Sequence, residues 1–470
     1  MFRWATAWRT WLSIGQQATK PNLNEESAPT QAFLTSLAHI FPLLFPHVSA
    51  TFRPADLAAL NEVLIATLAL PVAADSELGF LLTAAEDSLL PLHAAIAKCA
   101  SVVETQALVG GAKELLPGLF CLFLNLAKLT HTWPEGAGRC GVKGIFPEKF
   151  ILLGERSLLA AGRLYERTHA MELVREERVI GDVVAAVKKP LELKYSCIKQ
   201  TSWRVAIQVL LSILEVSMEE ASDRQRFGDV WIAVINILDV FLFPKALPPV
   251  SRSSEEQTED ERIDCSIVEF LKCQVLARPS PFPHEFLLSI MVILNKGSIH
   301  SHSAGEDLNQ NRDLPLVLRE DFAKICFETL LQYSLLDQSD PSLTNGNIEL
   351  VTNGVADLGV DRDAKITNKL AVTSLLHRFK EVVASYIADE ELHGPVPLPS
   401  HRVSEMSFVL KALATLISSL KRGSGGVDKR TWGLVIGLYP DLVKATVTKA
   451  ESVATSLQQV NIINCWKLTQ

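Results

Sequence analysis

Aromatic side chains are scarce in this sequence, 7% of residues, although 48% are apolar. The apolar content is therefore mostly Leu, Ala, Val and Ile, which suits packed helices better than a β-sandwich. A basic surplus is missing too. Forty-five Lys and Arg against 53 Asp and Glu leave a net charge of −8, which argues against a nucleic-acid phosphate backbone as the main partner. No apolar run reaches the ~18 residues that a bilayer-spanning helix needs. The nearest, 230–243, is interrupted by Asn236 and Asp239. Strand punctuation is equally weak, since Asn345-Gly346 sits in polar text rather than between alternating β-branched runs.

The eight cysteines, at 99, 121, 140, 197, 265, 273, 326 and 465, form no C-x-x-C, and no Asn-x-Ser/Thr sequon occurs. Most lie in apolar helical text, as in Phe120-Cys121-Leu122 and Ile325-Cys326-Phe327. They read as reduced core residues of a cytosolic protein. Arg3 and Arg9 interrupt the N-terminal apolar text, so it is not a signal peptide.

Catalytic signatures fail on context. Gly136-Ala137-Gly138-Arg139-Cys140-Gly141 matches G-x-G-x-x-G literally, but helical text precedes it where a dinucleotide site needs a strand. His284-Glu285 opens like H-E-x-x-H, yet Leu288 stands at the second histidine position. His300 and His302 near Glu306 and Asp307 have no fourth spaced ligand, and Asp361-Arg362-Asp363 is followed by Ile366 where a calcium loop needs glycine. No nucleophile elbow or P-loop is present. The chain reads as non-enzymatic, with no cofactor or metal.

What the sequence does contain is helix after helix. Val403, Met406, Leu410, Leu413, Ile417 and Leu420 recur at helical spacing, and Lys421-Arg422-Gly423 closes that helix. Stretches 203–216 and 230–243 are apolar nearly all round, as in the inner layer of a stack. The expected fold is all-α, an α-solenoid of armadillo- or HEAT-like helical hairpins, with about ten repeats of 40–47 residues. The larger interruptions are 21–30, 131–149, 244–264, 295–315, 337–368 and 393–402. Segment 244–264 carries Glu255, Glu256, Glu259, Asp260 and Glu261 and reads as a mobile acidic loop. Segment 337–368 reads as disordered. The helical segments are then 1–243, 265–336 and 369–470.

Two groups of residues are candidates for partner binding. Trp4, Trp8 and Trp11 share one stripe of a helix over 2–15. That stripe can receive a preceding repeat, pack on the following helices, or, with Arg3 and Arg9, lie in a membrane interface. Lys188, Lys189, Lys194, Lys199 and Arg204, interleaved with Tyr195 and Trp203, can hold anionic headgroups or an acidic segment. The plainer alternative is a solvated helix junction.

Several stretches carry a family resemblance: Leu318-Arg319-Glu320-Asp321-Phe322, Cys326-Phe327-Glu328-Thr329-Leu330, Phe408-Val409-Leu410-Lys411-Ala412, and Thr431-Trp432 with Val435-Ile436-Gly437-Leu438-Tyr439-Pro440. Together with Lys194-Tyr195-Ser196-Cys197, Asn295-Lys296-Gly297-Ser298 and Thr6-Ala7-Trp8, they resemble the C-terminal region of the Mon-two family, in order along nearly the whole chain. Residues 458–470 depart from that pattern. The resemblance implies the C-terminal part of a large peripheral protein of the Golgi, trans-Golgi network and endosomes, related to the non-catalytic parts of BIG-type Arf exchange factors. It further implies a scaffold in endosome-to-Golgi transport, with Dopey-family proteins, a phospholipid flippase and Arf-like GTPases as partners. Two other readings compete. One is a regulatory, non-catalytic module of an Arf exchange factor and the other an importin-like cargo carrier; a catalytic exchange factor would need a Sec-seven domain, and a carrier repeat-spaced Trp and Asn ladders. Neither feature is present.

Overall fold

Proline, glycine and capping side chains divide the chain into helices that are too apolar to stand alone. The computed structural model describes residues 2–20, 30–69, 89–136, 147–176, 178–197, 199–218, 224–245, 253–277, 282–298, 301–302, 318–335, 358–394, 398, 400–422, 429–446, 448, 450–451 and 453–458. They fall into two compact units, Met1–Glu220 and Ala221–Gln470. The expected boundaries at 244–264 and 337–368 therefore lie inside the second unit.

The first unit contains α1 (Phe2–Ala18), α2 (Gln31–Val48), α3 (Pro54–Ala69), α4 (Pro91–Leu108), α5 (Leu116–Gly136), α6 (Pro147–Thr168), the short α7 (Glu172–Glu176), α8 (Val179–Leu193) and α9 (Thr201–Ser217). Thr30 caps α2 by accepting from the Phe33 amide at 3.2 Å. Pro91 opens α4, where its missing N–H costs nothing. Helices pack on their neighbours and next neighbours: α1 on α2 and α3, α2 on α4, α3 on α5, α4 on α5 and α6, α5 on α6 and α8. A helix that meets both the next helix and the one after belongs to a two-layer stack of hairpins. Buried Leu34, Phe41, Leu57, Ile96, Cys99 and Leu119 form the core of this unit. Each buried leucine, isoleucine or phenylalanine among them contributes roughly 1.5–3 kcal/mol.

The second unit contains α10 (Arg224–Leu242), α11 (Ser254–Phe270) continued by a π-helical turn (Leu271–Leu276), α12 (His284–Gly297), α13 (Glu320–Leu335), α14 (Leu358–His393), α15 (Ser400–Arg422) and α16 (Lys429–Ala445). The same logic recurs, with α11 on α13, α12 on α13 and α14, α13 on α14 and α15, and α14 on α15 and α16. The all-α solenoid expectation is thus met within each unit. One two-residue antiparallel pair, β1 (Ser301–His302) with β2 (Leu318–Arg319), is the exception among the described residues.

The acidic segment 244–264 is not a loop over its second half. Ser253 and Glu256 form a capping box that starts α11, and Glu255 and Glu256 sit in the first turn, where the helix dipole favours carboxylates. Asp264 is fully buried and meets Arg319 Nη1 at 2.7 Å. Glu261 accepts from the Phe322 amide at 3.0 Å and so caps α13 from outside. Burial pushes the Glu261 carboxyl above its usual range. Ionising it therefore costs stability as the pH rises from the ordinary carboxylate range through its folded pKa. The disordered reading of 337–368 is also corrected in part: 358–368 begins α14, so Asp361 and Asp363 lie on a helix, and 336–357 is outside the described residues. Residues 131–136 extend α5, 147–149 open α6, and 400–402 open α15, all within expected interruptions.

The cysteines divide by face. Cys99 and Cys326 are buried as expected, but Cys121 is exposed on α5 and Cys273 is exposed as well. Burial pushes the Cys99 thiol up to about 12 and raises Cys326 further. Modification with a maleimide at pH 8 should therefore label Cys121 and Cys273 rapidly and leave Cys99 and Cys326 unlabelled until the chain unfolds. Peptide mass mapping checks this, and fast labelling of Cys99 would contradict the core assignment.

Candidate partner-binding surfaces

The tryptophan stripe does not act as one surface. Trp8 and Trp11 are buried, their rings stacked at 5.4 Å and packed on Phe41. Trp8 Nε1 donates to Asp56 at 2.9 Å and Trp11 Nε1 to the Leu37 carbonyl at 2.8 Å, so both polar ends are satisfied. These two belong to the core and cannot meet a partner directly. Trp4, one turn nearer the helix start, is 45% exposed. One face of its ring stacks on His47, at the end of α2, with centroids 4.0 Å apart. The stripe outruns the helix that covers it.

Beside Trp4 lies a face that the sequence reading missed. Phe33, Ile40 and Leu43 are all exposed, Leu43 by 74%, while Leu34, Leu37, Phe41 and Leu44 of the same helix are buried. Positions 33, 36, 40, 43 and 47 share one side of α2. The available signal was a helix, QAFLTSLAHIFPLLFPHV, with no charged face. Among the described residues, the helix nearest to a membrane span in length and composition also lies here and not at 230–243. Ala32–Thr51 is long and apolar enough by length and composition, with 44% of that window buried. In the second unit α16 shows the same division. Leu438 and Leu442 are buried, whereas Ile436 (68% exposed), Tyr439 and Val443 face outward on one stripe.

The basic cluster separates into surface and core. Lys188 is exposed and pairs with Glu192 one turn on, at 3.7 Å. Lys189 is half-buried. Lys199 reaches Glu155 at 3.6 Å, and the buried Glu155 carboxylate also accepts from Thr201 and Ser202 at 2.6 and 2.8 Å. That network ties α6 to the start of α9 and leaves Lys199 committed to a structural contact. Lys194 is fully buried, contrary to a surface role. Its ammonium lies 5.1 Å from the Tyr195 ring centre and 5.4 Å from that of Trp203. Cation–π contact of this kind strengthens when the site is desolvated. The chain turns there with Lys194 at φ 21°, a conformation that L residues rarely adopt. The turn carries the lysine inward, and no continuous basic patch remains.

Among the described residues, no group of three or more His, Cys, Asp and Glu could hold a metal ion. The G-x-G-x-x-G match lies outside the described residues from position 137 on. His302 is in β1, and His300, Glu306 and Asp307 lie outside them.

Comparison with known proteins gives a consistent result. The family model described as the C-terminal region of Mon2 protein matches residues 1–467. The Protein MON2 homolog of Drosophila melanogaster is 36% identical over 493 residues, covering 97% of this chain and 29% of the relative. That of Homo sapiens is 31% identical over 482 residues, covering 97% of this chain and 27% of the relative. The chain thus spans less than a third of the length of these relatives. Among solved structures, a circular tandem repeat protein aligns with 99% of this chain at a TM-score of 0.31 and 13% identity. At that level the fold assignment rests on the helix packing and not on the likeness.

Proposed function

The chain belongs to the Mon2 family, matching its C-terminal region, and from that premise we propose that it is a non-enzymatic scaffold in endosome-to-Golgi membrane trafficking. It acts on the cytoplasmic side of Golgi, trans-Golgi network and endosomal membranes, holding other proteins on helical-repeat surfaces. The partners proposed are Dopey-family proteins, a phospholipid flippase and Arf-like GTPases, with peripheral membrane contact through the assembly.

The observation that carries the scaffold reading is that apolar residues face outward in stripes on helices whose opposite sides are already buried, as on α2 and α16. A buried side anchors such a helix in the stack and leaves the other side to receive an apolar anchor from a partner. Candidate contact residues are Trp4 and Leu43 in the first unit and Ile436 in the second. Lys188 and Lys189 remain as a minor basic rim.

Release of a fluorescent nucleotide from Arf-type GTPases tests the non-catalytic part. The purified chain should leave the spontaneous rate unchanged. Clear acceleration would make it an exchange factor and overturn the scaffold reading.

A further inference from the structure

The outward stripe of α2 is one wall of a shallow groove whose other wall is α1. Trp4 stacks on His47 and Trp11 Nε1 donates to the Leu37 carbonyl, so the two helices run antiparallel, side by side. Around α1, Trp8 turns toward α3, where it bonds Asp56, and Trp11 turns toward α2. At about 100° per residue, positions 7, 14 and 3 continue past Trp11, on the flank away from α3. Ile14 and Arg3 are exposed on that flank and Ala7 is half-buried. Phe33, Ile40 and Leu43 bound the groove on the α2 side, all exposed. From Phe33 to His47 the stripe runs about 21 Å, four turns at 1.5 Å per residue. Apolar flanks on two neighbouring helices leave a valley that a third helix can fill.

The charge around this groove is of one sign. Residues 1–20 and 30–53 hold Arg3, Arg9, Lys20 and Arg53 and no Asp or Glu, in a chain with 53 acidic residues. All four cations are exposed, and among the described residues none of them is in an ion pair. The complementary guest is therefore apolar along one side and acidic at its flanks. The outermost side of α1 is polar, with Thr6, Arg9, Thr10, Ser13 and Gln17 exposed. A flat bilayer laid on this hairpin would meet those hydroxyls and amides, whereas a helix laid between α1 and α2 meets the apolar flanks.

We propose that the α1–α2 groove receives an amphipathic helix of a partner protein, about four turns long, with one apolar face and acidic flanks. The apolar face packs on Ile14, Ile40 and Leu43, and the carboxylates lie toward Arg3. This rests on the scaffold reading and names a site and a partner chemistry within it.

The test is selection on the whole purified chain from a displayed library of amphipathic helices of about four turns. Their apolar positions are drawn from Leu, Ile and Phe, and their flanking positions from Glu, Lys and Gln. Acidic flanks should be enriched. The chain's net charge of −8 favours basic helices elsewhere on the molecule, so that enrichment reports this groove. Ile40→Asp should weaken the enriched helices about tenfold and Arg3→Glu roughly threefold, while Ile436→Asp in the second unit should leave them unchanged. All three residues are exposed, so melting temperatures should not move and a lost affinity is a lost contact. Enrichment of basic or neutral flanks, indifference to Ile40→Asp, or the recovery of no binders would overturn the site. So would vesicles of phosphatidylcholine and phosphatidylserine that bind the chain but not Ile40→Asp, since the face then meets lipid. None of these results bears on nucleotide release, where the scaffold reading stands or falls separately.

Discussion

Replacing Asp264 by alanine should destabilise the second unit by about 3–5 kcal/mol, because it leaves the buried Arg319 guanidinium without its carboxylate. The pair is closed to solvent on both sides, 4% exposed at Arg319 and fully buried at Asp264. Arg319 also lies 4.4 Å from the Phe322 ring centre, at the start of α13, so the loss should reach that helix. Arg319→Met should cost a similar amount. The double variant Asp264→Leu/Arg319→Met should recover most of it, since an apolar pair of similar volume removes both desolvation penalties. Thermal melts and amide hydrogen exchange in α11 and α13 measure this. A single-variant loss below about 1 kcal/mol, the range of exposed pairs, would show that this acidic segment is solvated after all.

The second large effect separates members of one sequence stripe. Trp8→Ala should cost about 3–5 kcal/mol, as expected for an aromatic removed from a packed core. It also strips Asp56 of the indole donor at 2.9 Å. Trp11→Ala should behave alike. Trp4→Ala, by contrast, loses mainly one stacked contact with His47 and should cost less than about 1.5 kcal/mol. Chemical denaturation of the three variants compares them directly. Equal losses at Trp4 and Trp8 would mean that the end of α1 is covered as fully as its middle.

How much of this could be read beforehand follows from where each interaction finds its partner. The helix around 403–420 was legible because its apolar spacing and cationic, glycine-marked end are local. Stretches 203–216 and 230–243, expected to be covered nearly all round, are buried on one side only: Gln208 and Glu215 are exposed in the first, and Asn236 and Val240 in the second. The acidic start of α11 was misread because its partners are distant. Arg319 lies 55 residues from Asp264, and the Phe322 amide 61 from Glu261. Periodicity placed Trp4, Trp8 and Trp11 on one face, but it says nothing about where along the helix the covering neighbour stops. Lysine usually lies at the surface, whereas the backbone turn at Lys194 sets its ammonium against two rings inside. The outward stripes on α2 and α16 were hidden for the opposite reason, since apolar text is by default assigned inward. Cys121 illustrates the same error at a single position: it sits among buried leucines and phenylalanines, yet its helical angle points it to solvent.

The most direct test of the scaffold account is reconstitution of the purified chain with a purified Dopey-family protein, read by co-elution on size exclusion. The account predicts a stable complex that Leu43→Asp or Ile436→Asp weakens by about tenfold, a charge at an apolar anchor, with melting temperatures unchanged because both residues are exposed. If a full-length Mon2-family relative binds the same protein while this chain does not, the C-terminal region is not the partner-holding part and the account is contradicted.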